Sequence, residues 1–323
     1  MRRRHRRKQR WFNWGSAHFA ACFPETQSLL PADKPVYACP LCAIADQGGV
    51  RMRLYTEASL APAAKDKLTA EDVPPRSMGG HPLVLTCERC NTKAGCTIDV
   101  AAVEVERSLS FHAGTGVLDG FIRLGPNTTP ATIALQQGTA VVTLKRRSPE
   151  AVAIMRELEA GPVEPIYLTG SLRAPDDPLA LICYLKSAYL AAFALFGYNY
   201  AFSVGLELVR RQIQEPRVKH IPLFCARLPD HHRDLSPRLC ALPASGAIPW
   251  CWGVIISPYL VFLPVQSAEV LYAKIAEAKG TSFMFSIRNA VWPDEPRFTY
   301  ARFLPVTKLP FPGGAKLVPL RSD

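Results

Sequence analysis

Four cysteines in two matched pairs are the residues whose types and spacing predict chemistry most directly. Cys39 and Cys42 enclose two residues, and so do Cys87 and Cys90. Thiolate sulfur suits zinc, and a two-residue spacer lets both sulfurs of a pair reach the same ion. Because four protein ligands leave no open coordination position, the pattern predicts a structural zinc ion.

The segment between the two pairs holds 44 residues, more than the short gap of a zinc ribbon. It and the residues just after it contain several further polar and turn-forming positions: Glu71-Asp72, Val73, Pro75, Ser77, Gly79-Gly80, Leu85, Asn91 and Gly95. Together with the two cysteine pairs, this order of residues resembles the HNH endonuclease family, of the zinc-knuckle, ββα-metal type. The resemblance lies mainly in residues 39–99.

This resemblance implies a local fold and a second metal site. Two strands and a helix would clamp one divalent ion, with Glu71 near the end of the first strand and Asn91 at the start of the helix. A carboxylate and an amide oxygen are suitable ligands for Mg²⁺ or another hard divalent ion. Such an ion would assist the hydrolysis of DNA phosphodiester bonds.

The chain departs from the family where the general base is expected. The family places a histidine directly after the acidic residue, whereas this chain has Asp72. An ordinary Asp pKa is about 3.9, against about 6.5 for His, so the carboxylate is the weaker base. His81, at the start of the second strand, is another candidate. The resemblance thus nominates Asp72, Glu71 and His81 for catalysis. Pro82 stands where the family has an asparagine-like residue, which makes an orienting contact in the site.

Three functions therefore stay open. The first is an HNH-like endonuclease impaired by the Asp72 replacement. The second is a catalytically inactive, zinc-framed module that binds nucleic acid or a protein partner. In the third, the larger C-terminal part has the main role and the cysteine module is structural.

The charge distribution points to nucleic acid as a partner. The net charge is +11, and residues 1–10 carry seven Lys or Arg and no acidic residue. Such a run predicts a solvated, disordered arm that attracts phosphates without reading sequence. An arm that only aids solubility, or a misassigned start codon, would give the same pattern.

The remaining cysteines and the apolar segments bear on compartment. The chain has ten cysteines and no secretory signal in its first residues, which favours a reducing cytoplasm. Residues 179–209 are strongly apolar, but Lys186 and Asn199 interrupt them. A buried helix is expected there, and no membrane association.

The elements that must position these residues are typical of the α+β class. We predict a basic arm and linker over 1–35, a zinc-stapled ββα-metal module over 36–110, and a larger α+β domain over 111–323. Alternating residues in 111–147 predict strands with a hairpin turn at Gln137-Gly138. Four helices and a mainly antiparallel sheet are expected after it, with the helices at 149–160, 176–197, 203–214 and 268–280.

Overall fold

The computed structural model describes residues 2–24, 34–46, 49–145, 147–162, 165–229, 236–245, 248–279 and 288–298. Helices and sheets are mixed and every strand pairing is antiparallel, which confirms the α+β class. Contacts within the chain group residues 1–99 with 181–323 as one compact unit and 100–180 as a second. The domains predicted from the sequence, with boundaries at 35 and 110, stay a prediction.

The first unit, which carries the cysteines, combines helices with one larger and several two-stranded sheets. Its helices are α1 (Arg2–Cys22), α2 (Glu88–Ala94), α5 (Pro178–Phe196), α6 (Tyr198–Ala201), α7 (Glu207–Gln214) and α8 (Ala268–Glu277). Its two-stranded sheets pair β1 (Tyr37–Ala38) with β4 (Leu54–Tyr55), β2 (Ile44–Asp46) with β3 (Gly49–Arg51), and β5 (Leu68–Val73) with β6 (His81–Cys87). The larger sheet has the order β11 (Cys225–Arg227), β14 (Tyr259–Pro264), β13 (Cys251–Ile256), β12 (Arg238–Leu242), β15 (Arg288–Val291).

Helix α1 corrects the expectation of a disordered basic arm. Residues 2–22 form one helix, which includes the basic run. The reason lies just after that run, where Trp11, Phe12 and Phe19 are spaced to lie on one helix face and are at most 1% exposed. Phe12 stacks on Tyr37, with ring centroids 6.1 Å apart. The basic segment thus belongs to a helix that is anchored by these buried aromatic side chains.

Strands β5 and β6 and helix α2 follow one another where the resemblance expects strand, strand and helix. The hairpin pairs Leu68 with Cys87 at one end and Val73 with His81 at the other. An irregularity lies between Glu71 and Asp72. The expected local elements are therefore present, and membership of the HNH type stays a prediction.

Helix α5 forms the centre of the first unit. By length and hydropathy alone it could cross a membrane, yet 89% of its most apolar stretch is buried inside the protein. Tyr189 on this helix donates a hydrogen bond to the carbonyl of Pro40, at 2.7 Å. The N-terminal cysteine segment therefore packs on a helix that follows more than 130 residues later in the chain.

The second unit contains a four-stranded sheet and two helices. The sheet has the order β10 (Ile166–Gly170), β7 (Val117–Leu124), β8 (Asn127–Gln136), β9 (Thr139–Leu144), and the helices are α3 (Val100–His112) and α4 (Pro149–Glu159). The predicted hairpin turn is confirmed, because Gln137 and Gly138 connect β8 and β9 with positive φ angles. The oxygen of Ser148 caps α4 by accepting from the amide of Ala151.

Candidate metal centre and the buried carboxylate network

The four cysteines of the two pairs converge on one point. Cys39 follows β1, Cys42 lies in the next turn, Cys87 ends β6 and Cys90 belongs to α2. All four sulfurs lie within 4.8 Å of one another, and Cys42 Sγ is 3.4 Å from Cys87 Sγ and 3.5 Å from Cys90 Sγ. Tetrahedral zinc with Zn–S bonds of about 2.3 Å separates its sulfurs by roughly 3.8 Å. The arrangement therefore suits a metal ion such as zinc.

Backbone amides and burial support the same conclusion. The amide of Cys87 donates to Cys39 Sγ at 3.3 Å, and the amide of Cys90 donates to Cys87 Sγ at 3.4 Å. Such bonds favour thiolate sulfur. Hydrogen bonds from Cys39 and the other thiols lower the pKa of Cys87, whereas burial raises the pKa of Cys39. Four crowded sulfurs cannot all ionise without a cation, so a metal ion would complete this site.

A groove of about 470 Å³ lies beside the tetrad and is predominantly basic. Four basic and two acidic residues line it together with Cys87: Lys65, Lys67, Arg89 and Lys93 with Asp66 and Glu88. Lys67 is paired with Glu88 at 2.6 Å. Lys8 of α1 adds a further positive charge, because its Nζ donates to the carbonyl of Leu68 beside Lys67. Burial and then the charge of Lys67 lower the pKa of Lys8.

Glu71 belongs to a buried ionic cluster that the sequence analysis did not predict. Its side chain is 3% exposed, and its Oε1 lies 2.7 Å from the Nζ of Lys186, which is fully buried on α5. The same Nζ lies 2.8 Å from Oδ2 of Asp99. Two further donors complete the cluster: Thr86 to Glu71 at 3.2 Å, and Cys183 to Asp99 at 3.3 Å.

The cluster holds two carboxylates and one ammonium, so it carries a net charge of −1 when all three are ionised. Burial raises the pKa of Glu71, against the opposing effect of Lys186, and the charge of Asp99 raises it further. For Lys186, burial alone would lower the pKa, but the charges of Glu71 and Asp99 raise it above its ordinary value. Lys186 is thus the cation that holds together the buried acid Glu71 and the partly buried acid Asp99.

Asn91 lies near this cluster but does not contact Glu71 through a bond seen here. Its Nδ2 donates to Oγ1 of Thr69 at 3.0 Å, and Thr69 in turn donates to the carbonyl of Thr86 at 3.3 Å. Thr86 is the residue that donates to Glu71. Glu71 and Asn91, the two ligands implied by the resemblance, are therefore joined by two threonines.

The remaining candidates, Asp72 and His81, lie at the far end of the hairpin. Asp72 is opposite Pro82 and His81 is opposite Val73. Asp72 lies beyond the register irregularity that follows Glu71, and the side chains of Asp72 and His81 are both half-buried, unlike the enclosed Glu71. Among the described residues, only the cysteine tetrad gathers three or more potential metal ligands. The catalytic roles stay predictions.

Lys186 is the residue of the sequence that could have indicated the buried ionic cluster. It is the only charged residue in the apolar helix α5, and a buried ammonium requires an acidic partner. The identity of that partner could not be read from the sequence, because Glu71 lies 115 residues away and Asp99 lies 87.

Comparisons with protein-family models, with curated proteins and with solved structures gave no match.

Proposed function

We propose that this chain is a zinc-framed nucleic-acid-binding module that resembles HNH nucleases in its frame but does not hydrolyse phosphodiester bonds. The observation that carries the proposal is the ion pair between Lys186 and Glu71. It places a fixed positive charge on the carboxylate to which the family-like pattern assigns the divalent ion.

The charge of Lys186 opposes the binding of a catalytic ion to Glu71. A divalent ion on Glu71 would lie within a few ångströms of the buried ammonium of Lys186, where solvent screens charge poorly. Lys186 is fully buried and bonded to Asp99 as well, so it cannot move into water without leaving both acids unpaired. Asp72 lies beyond the register irregularity that follows Glu71, where it is opposite Pro82. These contacts favour a site that the chain itself neutralises.

Nucleic-acid binding is supported by the basic groove at the tetrad. Lys8 and Lys67 lie close together, and only Lys67 has an acidic partner among the contacts seen. Two neighbouring cations repel each other, and phosphate oxygens between them would relieve that repulsion. Helix α1 continues the positive charge through its N-terminal half. The expected contacts are with phosphates and carry no sequence preference.

Binding is tested by salt dependence. Affinity for a fluorescent duplex DNA should fall as salt rises, and the Lys8→Gln and Lys67→Gln variants should each flatten the logarithmic slope by about one unit. Lys274→Gln on α8, whose partner is Glu277, serves as a matched control of surface charge. An unchanged slope in both groove variants would refute phosphate binding at this groove.

Hydrolysis is tested separately. Plasmid DNA incubated with the full chain and Mg²⁺ or Mn²⁺ should stay intact. Asp72→His should not produce nicking either, because Lys186 still forms its ion pair with Glu71. The second candidate function is an HNH-like endonuclease. It is favoured by the hydrogen bonds through two threonines that link Asn91 to Glu71. Metal-dependent nicking that disappears in Asn91→Ala would establish that candidate instead.

A further inference from the structure

The second unit presents an open sheet face with an unusual composition. Strand alternation in β7 buries Leu118, Ile122 and Leu124 on one face, where they pack with residues of α3 and α4. On the other face of the same strand Phe121 is 52% exposed. Tyr167 of the neighbouring strand β10 is 48% exposed. Single exposed apolar residues are ordinary, but two aromatics on adjacent strands of one face form a patch.

The register shows that the two rings occupy neighbouring positions. Phe121 is opposite Thr169, and Arg123 is opposite Tyr167. Phe121 and Tyr167 are therefore diagonal partners on one face, a relation that separates residues by about 7–8 Å. Arg123 lies over the Tyr167 ring, with its guanidinium carbon 4.5 Å from the ring centroid. This contact places the guanidinium group beside the exposed aromatic ring.

The rest of this face carries small and charged side chains. The residues opposite Arg123, Phe121 and Asp119 on β8 are small, namely Thr128, Pro130 and Thr132. Among the described residues, Arg123 and Lys145 are basic residues of this face and Asp119 is an acidic one. Asp119 is paired with Lys145 and also with Arg107, which reaches it from helix α3. Three positive charges and one negative charge leave a net charge of +2.

We propose that this face binds single-stranded nucleic acid, with bases stacked on Phe121 and Tyr167 and phosphates held by Arg123 and its basic neighbours. Aromatic rings can stack on bases only where the base faces are exposed, which a duplex prevents. An apolar protein partner would leave the net positive charge unmatched, whereas a polyanion complements it. The inference is independent of the groove beside the cysteines, since its residues belong to the second unit.

The test measures binding of fluorescein-labelled oligothymidine and oligouridine to the full chain. Stacking is worth about 1–3 kcal/mol per base, so Phe121→Ala and Tyr167→Ala should each weaken binding by about 5- to 150-fold. Tyr167→Phe should retain most of the affinity, because it keeps the ring. Val152→Ala on α4, at a position 41% exposed, is the matched apolar control and should change nothing. The two oligonucleotides distinguish DNA from RNA as the better ligand.

Several outcomes would overturn the inference. Unchanged affinity in both alanine variants would do so, as would an equal loss in Val152→Ala. A loss of affinity for duplex DNA as large as that for single strands would show that the face does not stack bases. Failure here leaves the groove proposal intact, because that proposal predicts duplex affinity that depends on Lys8 and Lys67 and not on Phe121.

Discussion

The cysteine tetrad and the Glu71 cluster each gather negative charge in a buried place, yet they neutralise it differently. The tetrad contains only sulfur donors, and no basic side chain is bonded to them among the described contacts. The Glu71 cluster contains its own cation, Lys186. One site therefore depends on an ion from solution, and the other is complete within the chain.

This difference separates two roles that the resemblance combines. In an HNH-type nuclease a structural frame and a catalytic ion lie in one module. Here four cysteines offer the donors of such a frame, and we propose that the ammonium group of Lys186 lies where the resemblance expects the catalytic ion. The Glu71 carboxylate connects β5 to α5 through its ion pair with Lys186.

The largest expected effect is the loss of the metal from the tetrad. Purified protein should contain about one zinc ion per chain, because one tetrad forms one site. Cys87→Ala should lose the ion and unfold the first unit, since structural zinc contributes apparent binding energies of about 10–16 kcal/mol to folding. Elemental analysis and circular dichroism check both statements. Cys96→Ala, at an exposed cysteine outside the tetrad, is the control. Folded protein without any bound metal would break the comparison.

A smaller but still large effect is expected at Lys186. Lys186→Met removes the only cation of the cluster and leaves Glu71 and Asp99 buried without it. Removing one partner of a buried pair typically costs about 3–5 kcal/mol. Urea unfolding of metal-loaded protein measures the loss. Lys274→Met, whose side chain is 41% exposed, should cost less than about 1 kcal/mol. Equal stabilities of the two variants would contradict the assignment of Lys186 as an internal cation.

The sequence predicted features that depend on local spacing. Each of the two cysteine pairs and the Gln137-Gly138 turn involves residues near one another in the chain, so their geometry follows from spacing and turn chemistry. The apolar character of 179–209 also predicted the buried helix α5.

Features that depend on long-range contacts could not be predicted. The Lys186–Glu71 pair joins segments 115 residues apart, and no pattern in either segment names the other. Helix α1 was missed for a related reason. Its basic half resembles a disordered arm, and only the burial of Trp11, Phe12 and Phe19 against later segments fixes it as a helix.

The smallest expected effect concerns the negative charge that Glu71 adds to the cluster around Lys186. Glu71→Gln removes one of its two acids and leaves Lys186 and Asp99 as a balanced pair, so the variant should unfold at nearly the wild-type urea concentration near neutral pH. The folded pKa of Glu71 lies above its unfolded value, because burial disfavours its ionised form. Its contribution to stability is therefore fully present below the unfolded pKa of about 4.3 and is lost as pH rises through the folded pKa. Wild-type stability should thus fall relative to that of Glu71→Gln as pH rises from about 4 toward neutrality. Unfolding free energies of both proteins, measured across this range, give the difference directly. The opposite trend would contradict this prediction, because it would mean that attraction to Lys186 outweighs burial and favours the ionised carboxylate.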